Sequence, residues 1–160
     1  MLNMNIDWYE KMTPEESLER YDWGHELMEG STVYRSNTAE NVVMVGLMPE
    51  GEWVCEIEGE DTVPGEPLPR WNMIGQGFGE TPDKAIEAAV MDVVGFDVMR
   101  ENANCEDSVN VAAYEAYVFM YGEEPKPFED SWLEYDNLKG VAIEFVKEHC
   151  EHYGFEWEEF

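Results

Sequence analysis

Apolar residues recur along this chain in two periods, and the period changes with position. The first stretch is helical. Thr13 is placed to cap, Pro14 suits a first helical position, and Glu16 sits where a capping box needs it. Leu18, Tyr21, His25 and Met28 then fall on one face, which predicts a helix over roughly 13–29. A β region follows. Val42-Val43-Met44-Val45-Gly46-Leu47 is nearly all apolar and reads as a central strand. After the turn chemistry of Pro49-Glu50-Gly51-Glu52, the pattern alternates. Trp53, Cys55 and Ile57 lie on one face; Glu56, Glu58 and Glu60 lie on the other, expected to meet solvent. Three prolines between Gly59 and Arg70 predict a loop. A third strand, Trp71-Asn72-Met73-Ile74, runs into Gly75-Gln76-Gly77-Phe78-Gly79.

The helical period then returns. Thr81-Pro82-Asp83 opens a helix whose buried stripe is Ile86, Ala89, Val90, Val93 and Val94. Asp107 or Ser108 is placed to cap another, running to Tyr121 and stopped by Gly122. Ser131-Trp132-Leu133-Glu134 is a capping box for a helical region lasting to about Tyr153, as one helix or as two broken at Gly140. The expected fold is α+β: one domain over residues 1–160, with an N-terminal helix, a three- or four-stranded antiparallel sheet, then three or four helices.

Charge changes the picture more than any motif. Asp and Glu number 37 against 9 Lys and Arg, a net charge of −28 on 160 residues. Solubility asks for only about 2–8 charges in a small domain, and a larger excess works against the compact state. Disorder does not account for it, because 6 Trp, 8 Tyr and 7 Phe are far too many aromatics for an acidic disordered chain. Adaptation to concentrated salt and a surface shaped for a basic partner remain. The three cysteines, Cys55, Cys105 and Cys150, are odd in number and widely spaced, which argues for a reducing compartment rather than a disulfide framework. The opening residues read as no signal peptide, and no apolar run reaches the 18 or so residues of a membrane span. The expectation is a cytoplasmic protein that does not engage membranes.

Candidate chemistry is sparse. Gly75-x-Gly77-x-Gly79 before a helix invites phosphate binding. However, the dinucleotide fingerprint places its third glycine one residue later, and Glu80 and Asp83 would face the phosphate. A strand end with a glycine-rich turn is the better reading. His149 and His152 share a helix face, but only His25 remains as a further histidine and no second ligand pair has zinc spacing. His149 also falls in register with Ala142, Phe145 and Val146, as a core or interface residue would. No calcium loop is present, and carboxylate pairs arise by chance among so many acids. We expect no catalytic residues, metal or cofactor, and therefore no enzyme.

What remains is the arrangement of acids. Glu15, Glu19, Asp22, Glu26 and Glu29 form a ridge on the first helix if it continues through Gly24, and Glu56, Glu58 and Glu60 form a row on a strand. Carboxylates four apart on a helix, or two apart on a strand, sit about 6 Å apart, of the order of the phosphate spacing along a nucleic-acid strand. In charge, size and aromatic content the chain resembles the phage- and plasmid-encoded DNA mimics that block restriction enzymes or CRISPR effectors. That resemblance implies a non-enzymatic inhibitor seated in the basic groove of a host defence protein, in the host cytoplasm, through those eight residues. The alternative is an acidic adaptor or chaperone-like protein for a basic partner. Separately, Gly77-Phe78-Gly79-Glu80-Thr81-Pro82-Asp83-Lys84-Ala85-Ile86 is similar to the strand-to-helix junction of small phage αββα-sandwich proteins, a likeness over residues 42–95 that implies a phage origin and no particular activity.

Overall fold

The computed structural model describes residues 6–13, 15, 32–37, 41–61, 70–102 and 104–160. Five strands, β1 (Glu10–Lys11), β2 (Thr32–Asn37), β3 (Asn41–Leu47), β4 (Trp53–Asp61) and β5 (Arg70–Gly79), form one antiparallel sheet in chain order. Three helices follow: α1 (Pro82–Glu101), α2 (Cys105–Tyr121) and α3 (Asp130–Tyr153). The chain divides into two compact units, with the boundary between Ala89 and Val90, inside α1.

This corrects the expected order of an N-terminal helix, three or four strands, and three or four helices. The described chain opens on a 3-10 turn, Ile6–Trp8, and a two-residue strand. Among the described residues the sheet has five strands and three helices follow it. The helix expected over 13–29 lies, apart from Thr13 and Glu15, outside the described residues. The two unforeseen strands are poor in pattern. β1 is too short to show a period. In β2 the only large apolar residues, Val33 and Tyr34, are adjacent and so point to opposite faces. Their pairings, Glu10 with Arg35 and Val33 with Gly46, place them in the meander all the same.

In the sheet unit the middle of the sheet is buried on both faces. Val43, Val45, Cys55 and Ile57 on one face and Met44 and Val54 on the other have no exposed surface. Val33, Met44, Met48 and Val54 form a cluster against which Met12 and Val42 pack. Gly75, Gly77 and Gly79 are not a turn: they alternate along β5, opposite Ile57, Cys55 and Trp53. A Cβ on Gly77 would run into the backbone of α1 at Ala85, Ala88 and Ala89. The repeated glycine therefore lets the first turns of α1 sit directly on the strand. Thr81 caps that helix, accepting from the Lys84 N–H at 3.4 Å. Between Ile57 and Glu58 the β4–β5 register skips Ile74, a bulge, and β5 runs past the strand expected at Trp71–Ile74 because Gly75–Gly79 pair with Trp53–Ile57.

In the helical unit α2 and α3 pack along a small-residue seam, Ala112, Ala113 and Ala116 on α2 and Leu138, Ala142 and Val146 on α3, all buried. Asn104, rather than Asp107 or Ser108, caps α2 by accepting from the Asp107 N–H at 2.9 Å. Gly122 and Gly154 end their helices in the left-handed region, each at φ 74°. α3 passes through Gly140 unbroken. Its N-cap is Glu129, without a side-chain bond, while the Ser131 hydroxyl pairs with the Lys126 backbone instead. Tyr135 ties α3 to α2 by donating to the Asn110 carbonyl at 3.5 Å. On α1, Gly95 lies against the Phe145 ring, where a Cβ would sit 2.5 Å from Cε1.

Candidate functional site

The eight acids expected to carry binding are placed unevenly. Glu19, Asp22, Glu26 and Glu29 lie outside the described residues, and Glu15 is exposed. The strand row does not face solvent as a row. Glu56 is fully buried, Glu58 is 4% exposed, and only Glu60 is exposed. The register explains this. β4 lies between β3 and β5, so Glu56 is flanked by Met44 and Gln76 in a sheet covered on both faces. The Gln76 amide donates to Glu56 at 3.3 Å. A carboxylate taken out of water is tolerated where such bonds replace hydration. Glu56 and Glu58 are thus part of the sheet's interior in this chain.

Five exposed acids share one face of α3. Asp130, Glu134, Glu144, Glu148 and Glu151 are all exposed. At 100° per residue they fall within one third of the helix circumference, opposite the buried Leu138, Ala142, Val146 and Cys150. They span about 31 Å at roughly 1.5 Å per residue. The three lysines of residues 104–160 offset them only in part. Lys126 reaches Glu123 at 4.0 Å, Lys147 lies 5.9 Å over the Trp157 ring, and Lys139 lies off the acidic face. The spacing of four between Asp130 and Glu134 and between Glu144 and Glu148 was the signal available in the sequence.

An apolar patch adjoins the N-terminal end of this face. Phe128 is fully exposed, Leu133 is 67% exposed and Trp132 is 41% exposed. With Pro127, Glu129 and Asp136 they line a shallow cavity of about 370 Å³. Phe128 stands at φ 68°, a conformation that bulky L-residues rarely hold. The backbone strain thus coincides with a large aromatic left in water.

Other candidate chemistry is absorbed locally. His149 stacks on Phe145 with ring centroids 3.9 Å apart, and its Nδ1 lies 2.9 Å from the Phe145 carbonyl. Among the described residues no group of three or more His, Cys, Asp and Glu is placed to hold a metal, and no helix is long and apolar enough to cross a membrane. Comparison with protein families, with curated proteins and with solved structures finds no match for this chain.

Acid crowding leaves a mark on α1. The Glu87 carboxyl is raised above the usual range by burial, then by Asp83 one turn earlier, with Lys84 opposing. An acid raised in the folded state contributes stability that is full below its unfolded pKa and lost as pH rises through the folded value. Glu87→Gln should therefore stabilise the chain at pH 8 by a few tenths of a kcal/mol, screened by salt, and the gain should vanish near pH 4. Thermal melts of both chains at the two pH values check this, and an equal gain at both would exclude titration as the cause.

Proposed function

We propose that this chain is a non-enzymatic inhibitor that mimics nucleic acid and occupies the basic groove of a nucleic-acid-binding protein, of the restriction-enzyme or CRISPR-effector kind that the class resemblance implies. The observation that carries this reading is the acidic face of α3, where five exposed carboxylates have Lys147 as the neighbouring cation on that helix. A helix fixes the separation of its charges, so a groove that binds phosphates meets an ordered array of negative charge. The exposed Phe128, Trp132 and Leu133 supply what charge cannot. Aromatic anchors at the edge of a charged contact hold a complex after long-range steering has formed it.

The test starts from an affinity capture with the whole chain on a nuclease-treated bacterial lysate. The captured protein is then purified and assayed with its nucleic acid. The expected result is mutual exclusion: the chain displaces the nucleic acid, inhibition is competitive, and both weaken as salt rises. A stable ternary complex of chain, target and nucleic acid would overturn mimicry and favour the acidic adaptor.

A further inference from the structure

We propose that Cys105 and Cys150 are a modification site, a thiol pair that a hydroperoxide converts to a reversible intramolecular disulfide. Cys105 is the first residue of α2 and Cys150 lies in the last turn of α3. Antiparallel packing brings these two helix ends together, and the Sγ atoms lie 3.6 Å apart. A disulfide needs about 2.05 Å. Closing about 1.5 Å is within the reach of thiols turning about their Cα–Cβ bonds.

Both thiols are buried, Cys105 at 6% and Cys150 at 4% exposed, so a peroxide must reach them through a cavity. Both thiols line a cavity of about 670 Å³ together with Ser108, Val146, Tyr153 and Glu156. That volume admits a small peroxide with room to spare. The C-terminal tail lies at its rim, where the Glu156 carbonyl is 3.5 Å from the Cys105 thiol. The remaining cysteine offers no competition. Cys55 is fully buried in the sheet, and burial, reinforced by the Glu56 carboxylate, pushes its thiol far up.

One thiolate attacks a peroxide oxygen, the O–O bond breaks, and a sulfenic acid and water form. The second thiol attacks the sulfenic sulfur, the S–S bond forms and a second water leaves. Two thiols are oxidised by two electrons, and one hydrogen peroxide is reduced to two waters. Burial, followed by the hydrogen bond to Cys105, raises the Cys150 thiol to about 11. The Cys150 thiolate is therefore scarce at neutral pH, and closure, in which Cys150 attacks the sulfenic acid formed on Cys105, should accelerate about tenfold per pH unit below that value.

The experiment treats the whole chain with hydrogen peroxide at pH 7 and pH 9. Denaturation and maleimide labelling follow, then intact mass and a non-reducing peptide map. The expected product has lost two hydrogens, carries label on Cys55 alone and yields a Cys105–Cys150 linked peptide. Dithiothreitol should restore three labelled thiols. Closing a loop over a separation of 45 residues should also raise Tm by roughly 5–10 °C. Cys150→Ser should abolish the linked peptide and leave a dimedone-reactive sulfenic acid on Cys105. Three labelled thiols after excess peroxide at pH 9, a link through Cys55, or only intermolecular disulfides would each overturn the proposal.

Discussion

Gly77→Ala should destabilise the chain by about 3 kcal/mol, lowering Tm by roughly 6–12 °C. The added methyl would lie 2.6 Å from the Ala85 carbonyl oxygen and from the Ala88 carbonyl carbon, and would overlap the Ala89 nitrogen. All three are backbone atoms of α1. No rotamer change relieves them, so the first turns of α1 must lift from β5 and lose the burial of Ala85, Ile86 and Ala89. Gly95→Ala should cost less, because its methyl meets the Phe145 ring, which can swing. Gly140→Ala should act in the opposite direction. Nothing lies within 4 Å of its Cβ position, in the interior of an exposed helical turn. Higher helix propensity should then add about 0.5–1 kcal/mol. Urea midpoints of the three variants measure the order directly. A Gly77→Ala chain that melts like wild type would mean that α1 does not rest on the strand.

That glycine row shows where sequence reasoning was strong and where it ran out. The period marked Val42–Leu47 and Trp53–Ile57 as strands and placed the start of α1 at Pro82, because strand and helix patterns are local. The purpose of Gly75-x-Gly77-x-Gly79 was not local. Spacing alone suggested a turn or a phosphate loop, whereas the reason for Gly77 and Gly79 is a helix backbone that begins only after them. Glu56 and Glu58 misled in the same way. Alternation gives two faces but not what covers each, and here Glu56 and Glu58, expected to meet water, are inside while Glu60 is exposed. Cys105 and Cys150 are far apart in sequence, and only the antiparallel pairing of α2 and α3 brings their sulfurs together. β2 was illegible for the converse reason. Its pairing with β3 is long and regular, but its own residues carry no period. The acidic face of α3 was legible and passed over, since its buried stripe, not its exposed one, defines the helix.

Reversing the C-terminal half of that face, with Glu144→Lys, Glu148→Lys and Glu151→Lys together, should weaken binding to a basic groove by about 10–100-fold at low ionic strength. The three side chains are exposed, so the change acts on the field rather than on packing. Lysine in the last turn also suits the helix dipole, which offsets the few tenths of a kcal/mol lost with the neighbouring Lys147 pairs. Tm should stay within a few degrees of wild type. Most of the loss should fall on the association rate, because steering by opposite charge raises encounter rates by about 10–1000-fold and is screened above the Debye length. Wild type and variant should therefore converge as salt approaches about 0.5 M. Trp132→Ala with Leu133→Ala should show the other signature, with faster dissociation and little change with salt, since apolar anchors act after contact. Stopped-flow association and dissociation rates across a salt series separate the two. If the triple reversal binds as fast as wild type at low salt, the α3 face is not the contact, and the nucleic-acid mimicry assigned to it is wrong.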